Sequence, residues 1–197
     1  YIKTETDREI RVWVPGCSTG EEAYSYGILL LELLEDLGLE RSLKIFATDV
    51  DQDAIVAGGS GNYPETIAAE IGSSRLLSRY FHCREESYEI SRRLREVVVF
   101  AQHNLITDPP FTKMDLVSCR NLLIYLDTNM QQRLLPIFFY SLKACGALFL
   151  GSSETIGLSS QYFDVINKRW KIYRRRPHNE ENTGHLSFPV KWTASDT

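Results

Sequence analysis

The stretch Arg11-Val-Trp-Val-Pro-Gly-Cys-Ser-Thr-Gly-Glu-Glu-Ala-Tyr-Ser25 decides the fold. Arg11–Val14 reads as a short buried strand, Pro15 and the glycines at 16 and 20 enclose a turn, and an amphipathic helical pattern follows from Glu21 to Leu37, with Gly38 as its stop. A tight turn joining a first strand to a first helix is where open α/β sheets bind nucleotides. This turn lacks the G-x-G-x-x-G spacing, and Glu21 and Glu22 stand at the helix start, where a dinucleotide would lay its pyrophosphate. Two carboxylates there repel a phosphate and attract a cation. S-adenosylmethionine, with a sulfonium and an ammonium group, is such a ligand. The same spacing also makes a capping box, Ser18-x-x-Glu21 or Thr19-x-x-Glu22, and the turn alone does not choose between the two readings.

Working outward, Lys44–Thr48 is a second strand ending on Asp49, an acidic residue placed to accept hydrogen bonds from ribose hydroxyls. Asp49, Asp51 and Asp53 imitate the opening of a calcium loop. Ala54 and Ser60 stand where that loop needs glycine and glutamate, so no metal is expected and Asp51 reads as the cap of a short helix ending at Gly58-Gly59. Residues 60–96 fit the alternation poorly: a turn at Asn62–Pro64, a helix over Ile67–Phe81 and a strand at Ser87–Ile90 read as a small insert. The alternation resumes with strands Val97–Ala101 and Asp115–Ser118, a helix Asn129–Lys143, a strand Ala147–Leu150 and a hairpin of Phe163–Ile166 with Trp170–Tyr173. Strands alternating with helices predict an α/β fold, a Rossmann-like sheet with helices on both faces. Its domain spans 10–176, and 177–197 read as a polar linker.

Composition bounds the function. With 197 residues, 43% hydrophobic and 24% charged, the chain has ordinary globular usage and the length of one domain. Residues 1–100 carry 11 basic and 18 acidic groups, and 101–197 carry 11 and 8, a balance that disfavours a nucleic-acid binder. The four cysteines are scattered and form no C-x-x-C pair, as expected of reduced thiols in the cytoplasm. No apolar run reaches the ~20 residues that span a bilayer. The chain begins at Tyr1 without a signal-like segment and reads as a piece of a longer protein. Asp108-Pro-Pro-Phe111 imitates a motif of amino-group methyltransferases acting on nucleic acid, but it precedes a strand and reads as a rigid turn. The basic run at Lys168, Arg169, Lys171 and Arg174–Arg176 is a solvated strand end or a surface for an acidic partner.

Five ordered motifs resemble the CheR-type chemotaxis receptor methyltransferases: Val14–Ser25, Ala47–Asp51, Asn104-Leu105, Ser118–Tyr125 and Leu148–Glu154. The wording at Asn62–Pro64 and Lys171–Tyr173 is most similar to versions fused to methylesterase and PAS sensor modules. The resemblance implies a class I S-adenosylmethionine-dependent methyltransferase fold with a small β-containing insert. It also implies transfer of a methyl group to receptor glutamates, giving methyl esters and S-adenosylhomocysteine. Carried over motif by motif, Gly16, Ser18 and Gly20 line the cofactor turn and Glu21 meets the methionine ammonium. Asp49 holds the ribose, and Asn104 and Leu105 border the adenine. Arg120 and Asn121 lie beside the cofactor, with Arg120 and Tyr125 as the catalytic pair and Tyr125 facing the methyl. Glu154 receives no role. The implied partner is a methyl-accepting receptor or other signalling protein. The family's N-terminal helical domain is not recognisable in this sequence, and the glycine-containing insert loop that binds a receptor tether has no counterpart in Tyr80–Ile90. A non-catalytic cofactor-binding or scaffold module is the alternative. A dinucleotide oxidoreductase is disfavoured by the two glutamates at the phosphate position.

Overall fold

The computed structural model describes residues 9–177. Contacts divide the chain into two compact units, Tyr1–His103 and Asn104–Thr197. The 177–197 linker lies, but for Pro177, outside the described residues.

In the first unit β1 (Ile10–Pro15) pairs in parallel with β2 (Leu43–Asp49), which pairs in parallel with β6 (Val98–Gln102). Their apolar runs, uninterrupted in β1 by a polar alternation, fit strands covered on both faces: Val12, Trp13, Val14, Ile45 and Ala47 are at most 1% exposed. Between β1 and β2 runs α1 (Glu21–Asp36), which buries Ala23, Tyr24, Ile28, Leu30 and Leu34 at helical spacing. After β2 comes α2 (Gln52–Ser60), capped by the Asp51 carboxylate on the N–H groups of Asp53 and Ala54, as the sequence led us to expect.

The insert differs from expectation in two places. Asn62–Pro64 is not a turn but a strand, β3, and forms an antiparallel sheet in the order β3-β5-β4 with β5 (Ser87–Ile90) and β4 (Phe81–Cys83). Pro64 is tolerated because it closes a strand at the sheet edge. The helix expected over Ile67–Phe81 is two, α3 (Ile67–Ile71) and α4 (Ser74–Tyr80): Gly72 ends the first in the left-handed region (φ 62°) and the Ser73 hydroxyl caps the second. A short α5 (Arg92–Arg95) leads back to β6.

In the second unit β7 (Met114–Cys119) pairs in parallel with β8 (Leu142–Leu150), and the antiparallel hairpin β9 (Phe163–Asn167) and β10 (Ile172–Arg175) adds to β8 through β10. α6 (Thr128–Ser141) crosses from β7 to β8, starts on the Asp127 side-chain cap and buries Leu134, Leu135, Phe138 and Phe139. β8 begins five residues earlier than the apolar run suggests, passing through Cys145 in the left-handed region (φ 64°).

Candidate functional site

The β1–α1 turn is held open by backbone conformations that side chains rarely adopt. Gly16 and Gly20 have φ of 70° and 93°, and Ser18 has 49°. A Cβ on Gly20 would stand 2.6 Å from the Phe100 ring, and one on Gly58 would stand 2.5 Å from it, so one aromatic ring of β6 fixes both glycines. Gly20 is the N-cap of α1 and no side chain caps that helix, so the capping box is not formed; the Thr19 hydroxyl donates to the Glu21 carboxylate itself at 2.8 Å. The first N–H groups of α1 therefore open where both acidic residues stand.

Asp49 is fixed at the end of β2. One carboxylate oxygen accepts the Ser18 N–H at 2.9 Å and the other the Asp51 N–H at 3.1 Å. A carboxylate offers about four lone-pair sites, so two acceptor positions remain for a vicinal diol. The turn sits in a negative field. The Cys17 thiol is pushed up to about 12, first by burial and then by the charges of Asp49, Glu21 and Glu22. These residues suit a ligand with positive charge and ribose hydroxyls.

The insert reaches the same turn. Tyr63 of β3 donates its hydroxyl to the Thr19 carbonyl at 2.7 Å, and burial with the nearby Glu21 charge drives its pKa upward. Tyr24 of α1 donates to the Gly58 carbonyl at 3.0 Å. Sequence reasoning missed Tyr63; its only signal was the Asn62–Pro64 wording, there read as a turn.

In the second unit the Asn104 carboxamide oxygen accepts the Ile106 N–H at 2.9 Å, and the Asp108 carboxylate accepts the Asn104 N–H at 2.7 Å. Asn104 is thus a turn residue closed by Asp108, which gives Asp108–Phe111 a local structural role. Leu105 is half-buried rather than part of the core. After β7, Arg120 lays its guanidinium 5.0 Å over Phe149, while Asp115 pairs with Lys143 and Asp127 caps α6. Asn121 is exposed with φ 59°, and Leu123–Tyr125 form a single 3-10 turn. Tyr125 is 80% exposed. Although it follows the apolar stretch Leu122–Ile124, the turn places Leu123 inward and Tyr125 outward.

Of the basic run, Arg175 donates to the Leu142 carbonyl and stacks on Phe139, Arg176 pairs with Asp164 at 2.7 Å and Arg169 stacks on Trp170. Half of that cluster serves the fold. Among the described residues no cluster could hold a metal ion, and no helix is long and apolar enough to cross a membrane.

The parallel strands, glycine turn, acidic helix start and acidic end of β2 define the class I S-adenosylmethionine-dependent methyltransferase fold. Residues 1–172 match the family described as CheR methyltransferase, SAM binding domain, and the chain belongs to that family. It is 44% identical, over 84% of its length, to an uncharacterized 104.1 kDa protein in the hypE 3' region of Rhodobacter capsulatus, of which it covers 17%. It is 39% identical to the putative methyltransferase Cher3 of Pseudomonas putida, covering 84% of this chain and 63% of that one. With chemotaxis protein methyltransferase 2 of Vibrio cholerae it shares 34% identity over 86% of this chain and 59% of that one. The chain thus spans only part of each of these relatives.

Proposed function

We propose that this domain binds S-adenosylmethionine and transfers its methyl group to the side-chain carboxylate of a receptor glutamate, in the cytoplasm and as one module of a longer signalling protein. The observation that carries the cofactor reading is the negatively charged turn, with Glu21 at an uncapped helix start and Asp49 tied to Ser18. Family membership and the similarity to chemotaxis methyltransferases support the receptor substrate. The 104.1 kDa size of the Rhodobacter relative supports the modular setting.

When bound, S-adenosylmethionine supplies an electrophilic methyl on a sulfonium. Glu21 attracts the ammonium end, Asp49 grips the ribose diol with its remaining lone pairs, and Asn104 and Leu105 border the adenine. Arg120 and Asn121 hold the flank of the cofactor, and Tyr125 orients the incoming carboxylate through its hydroxyl. The attacking glutamate, with a pKa about 4.3, is already ionised at neutral pH, so no general base is needed and catalysis is chiefly alignment.

Calorimetric titration of the natural protein with S-adenosylhomocysteine tests the site. Wild type binds and Asp49→Ala abolishes binding; equal affinity in the variant overturns the assignment. Incorporation of labelled methyl into base-labile esters on receptor fragments then separates an enzyme from a cofactor-binding scaffold.

A further inference from the structure

Glu154 is a buried carboxylate, 4% exposed, and among the described residues no cation pairs with it. Isolated charges are rarely buried because desolvation is costly, so its surroundings must reward it. Both oxygens are used. One accepts the Gly151 N–H at 2.6 Å, at the end of β8, and the other accepts the Leu123 N–H at 2.8 Å, in the turn that carries Tyr125. The approach is so close that a Cβ on Gly151 would lie 2.7 Å from Glu154 Oε2 and 2.8 Å from Asn121 Oδ1. The other side of the turn is held as well: the Gln131 side-chain amide of α6 donates to the carbonyls of Leu123 and Leu126 at 2.9 and 3.0 Å.

We propose that Glu154 is a positioning residue for methyl transfer, a buried double acceptor that locks the Arg120–Tyr125 segment to the end of β8. The proposal rests on the reading of Tyr125 and Arg120 given above. Asn121 and Tyr125 are both exposed, so little side-chain burial of their own fixes them. The turn's backbone hydrogen bonds fix them instead, and Glu154 is the acceptor that joins it to a strand. The carboxylate is required as such: two N–H donors converge on it, and a carboxamide would set an N–H donor against one of them.

The test uses Glu154→Gln in the natural protein, with Val117→Ala as a control that weakens the core of β7 without touching the turn. Glu154→Gln lowers kcat for methyl transfer by about 100-fold, the scale of an ångström-level misplacement, while KM for S-adenosylmethionine changes far less. Amide exchange speeds up at Leu123–Leu126 and stays at the wild-type rate in β1 and β2. The control, compared at equal fraction folded, keeps wild-type kcat. Exchange unchanged at the turn overturns the proposal, and so does kcat lost equally in both variants. If the wild-type protein binds S-adenosylhomocysteine but transfers no methyl, the enzymatic reading fails by itself, and the exchange data still decide whether Glu154 locks the turn.

Discussion

Side chains drawn from the five motifs do different physical work. Asn104 spends its carboxamide oxygen on the Ile106 N–H, so its contribution to a cofactor would come through the turn it shapes and the amide hydrogens it retains. Tyr125 is the opposite case: its ring is 80% exposed, and solvent exposure of so large an aromatic group is a cost that packing does not repay. If its hydroxyl donates to the attacking carboxylate, Tyr125→Phe lowers kcat by about 10- to 100-fold, the range for a hydrogen bond to a charged group, and leaves S-adenosylhomocysteine binding unchanged. Turnover of labelled methyl equal to wild type would remove that role. The sequence made Tyr125 visible as a motif residue but hid its exposure, because Leu122–Ile124 look like core and only the 3-10 turn decides which ring faces out. Glu154 was equally hidden. Burial of a carboxylate depends on which N–H groups the fold brings to it, and Leu123 lies 31 positions away.

At the scale of elements, strands with unbroken apolar runs were legible from sequence and those made by pairing were not. β1, β2 and β9 follow their residue patterns closely, whereas β10 begins two residues after the expected Trp170, because the hairpin turn extends over 168–171. β3 has three residues and a proline, and it is a strand because β5 lies alongside it. That small strand nevertheless carries Tyr63, whose hydroxyl supports the β1–α1 turn at the Thr19 carbonyl. Tyr63→Phe leaves this carbonyl without its donor. Binding of S-adenosylhomocysteine, read by calorimetry, weakens by about 3- to 10-fold, the equivalent of one neutral hydrogen bond, while the melting temperature falls by only a few degrees. The insert and α1 are also tied by ion pairs: Arg79 bridges Glu32 at 2.9 Å and pairs with Glu35, and Tyr80 donates to Glu32 at 2.8 Å. The Tyr80 hydroxyl, followed by the arginines, holds the Glu32 carboxyl below its usual range, and Arg79 does the same for Glu35.

For the molecule as a whole, the chemistry asks little of acid–base groups. Of the two histidines described, His82 is exposed and His103 packs edge-on against Trp13 at 5.7 Å. The rate of methyl transfer is therefore expected to stay flat from about pH 6 to 8 and to fall only as the accepting glutamate protonates toward its pKa of about 4.3. A profile that breaks near 6.5 would call for a histidine base and contradict the mechanism. The brace from Tyr63 to Thr19 has a further consequence if the proposed function holds. On the proposed reading, a turn that binds S-adenosylmethionine and an insert braced to that turn are thermodynamically linked, so a macromolecule that prefers the braced insert raises cofactor affinity, and the cofactor raises affinity for that macromolecule by the same factor. Supply of the methyl donor and recruitment to a target then become two readings of one equilibrium.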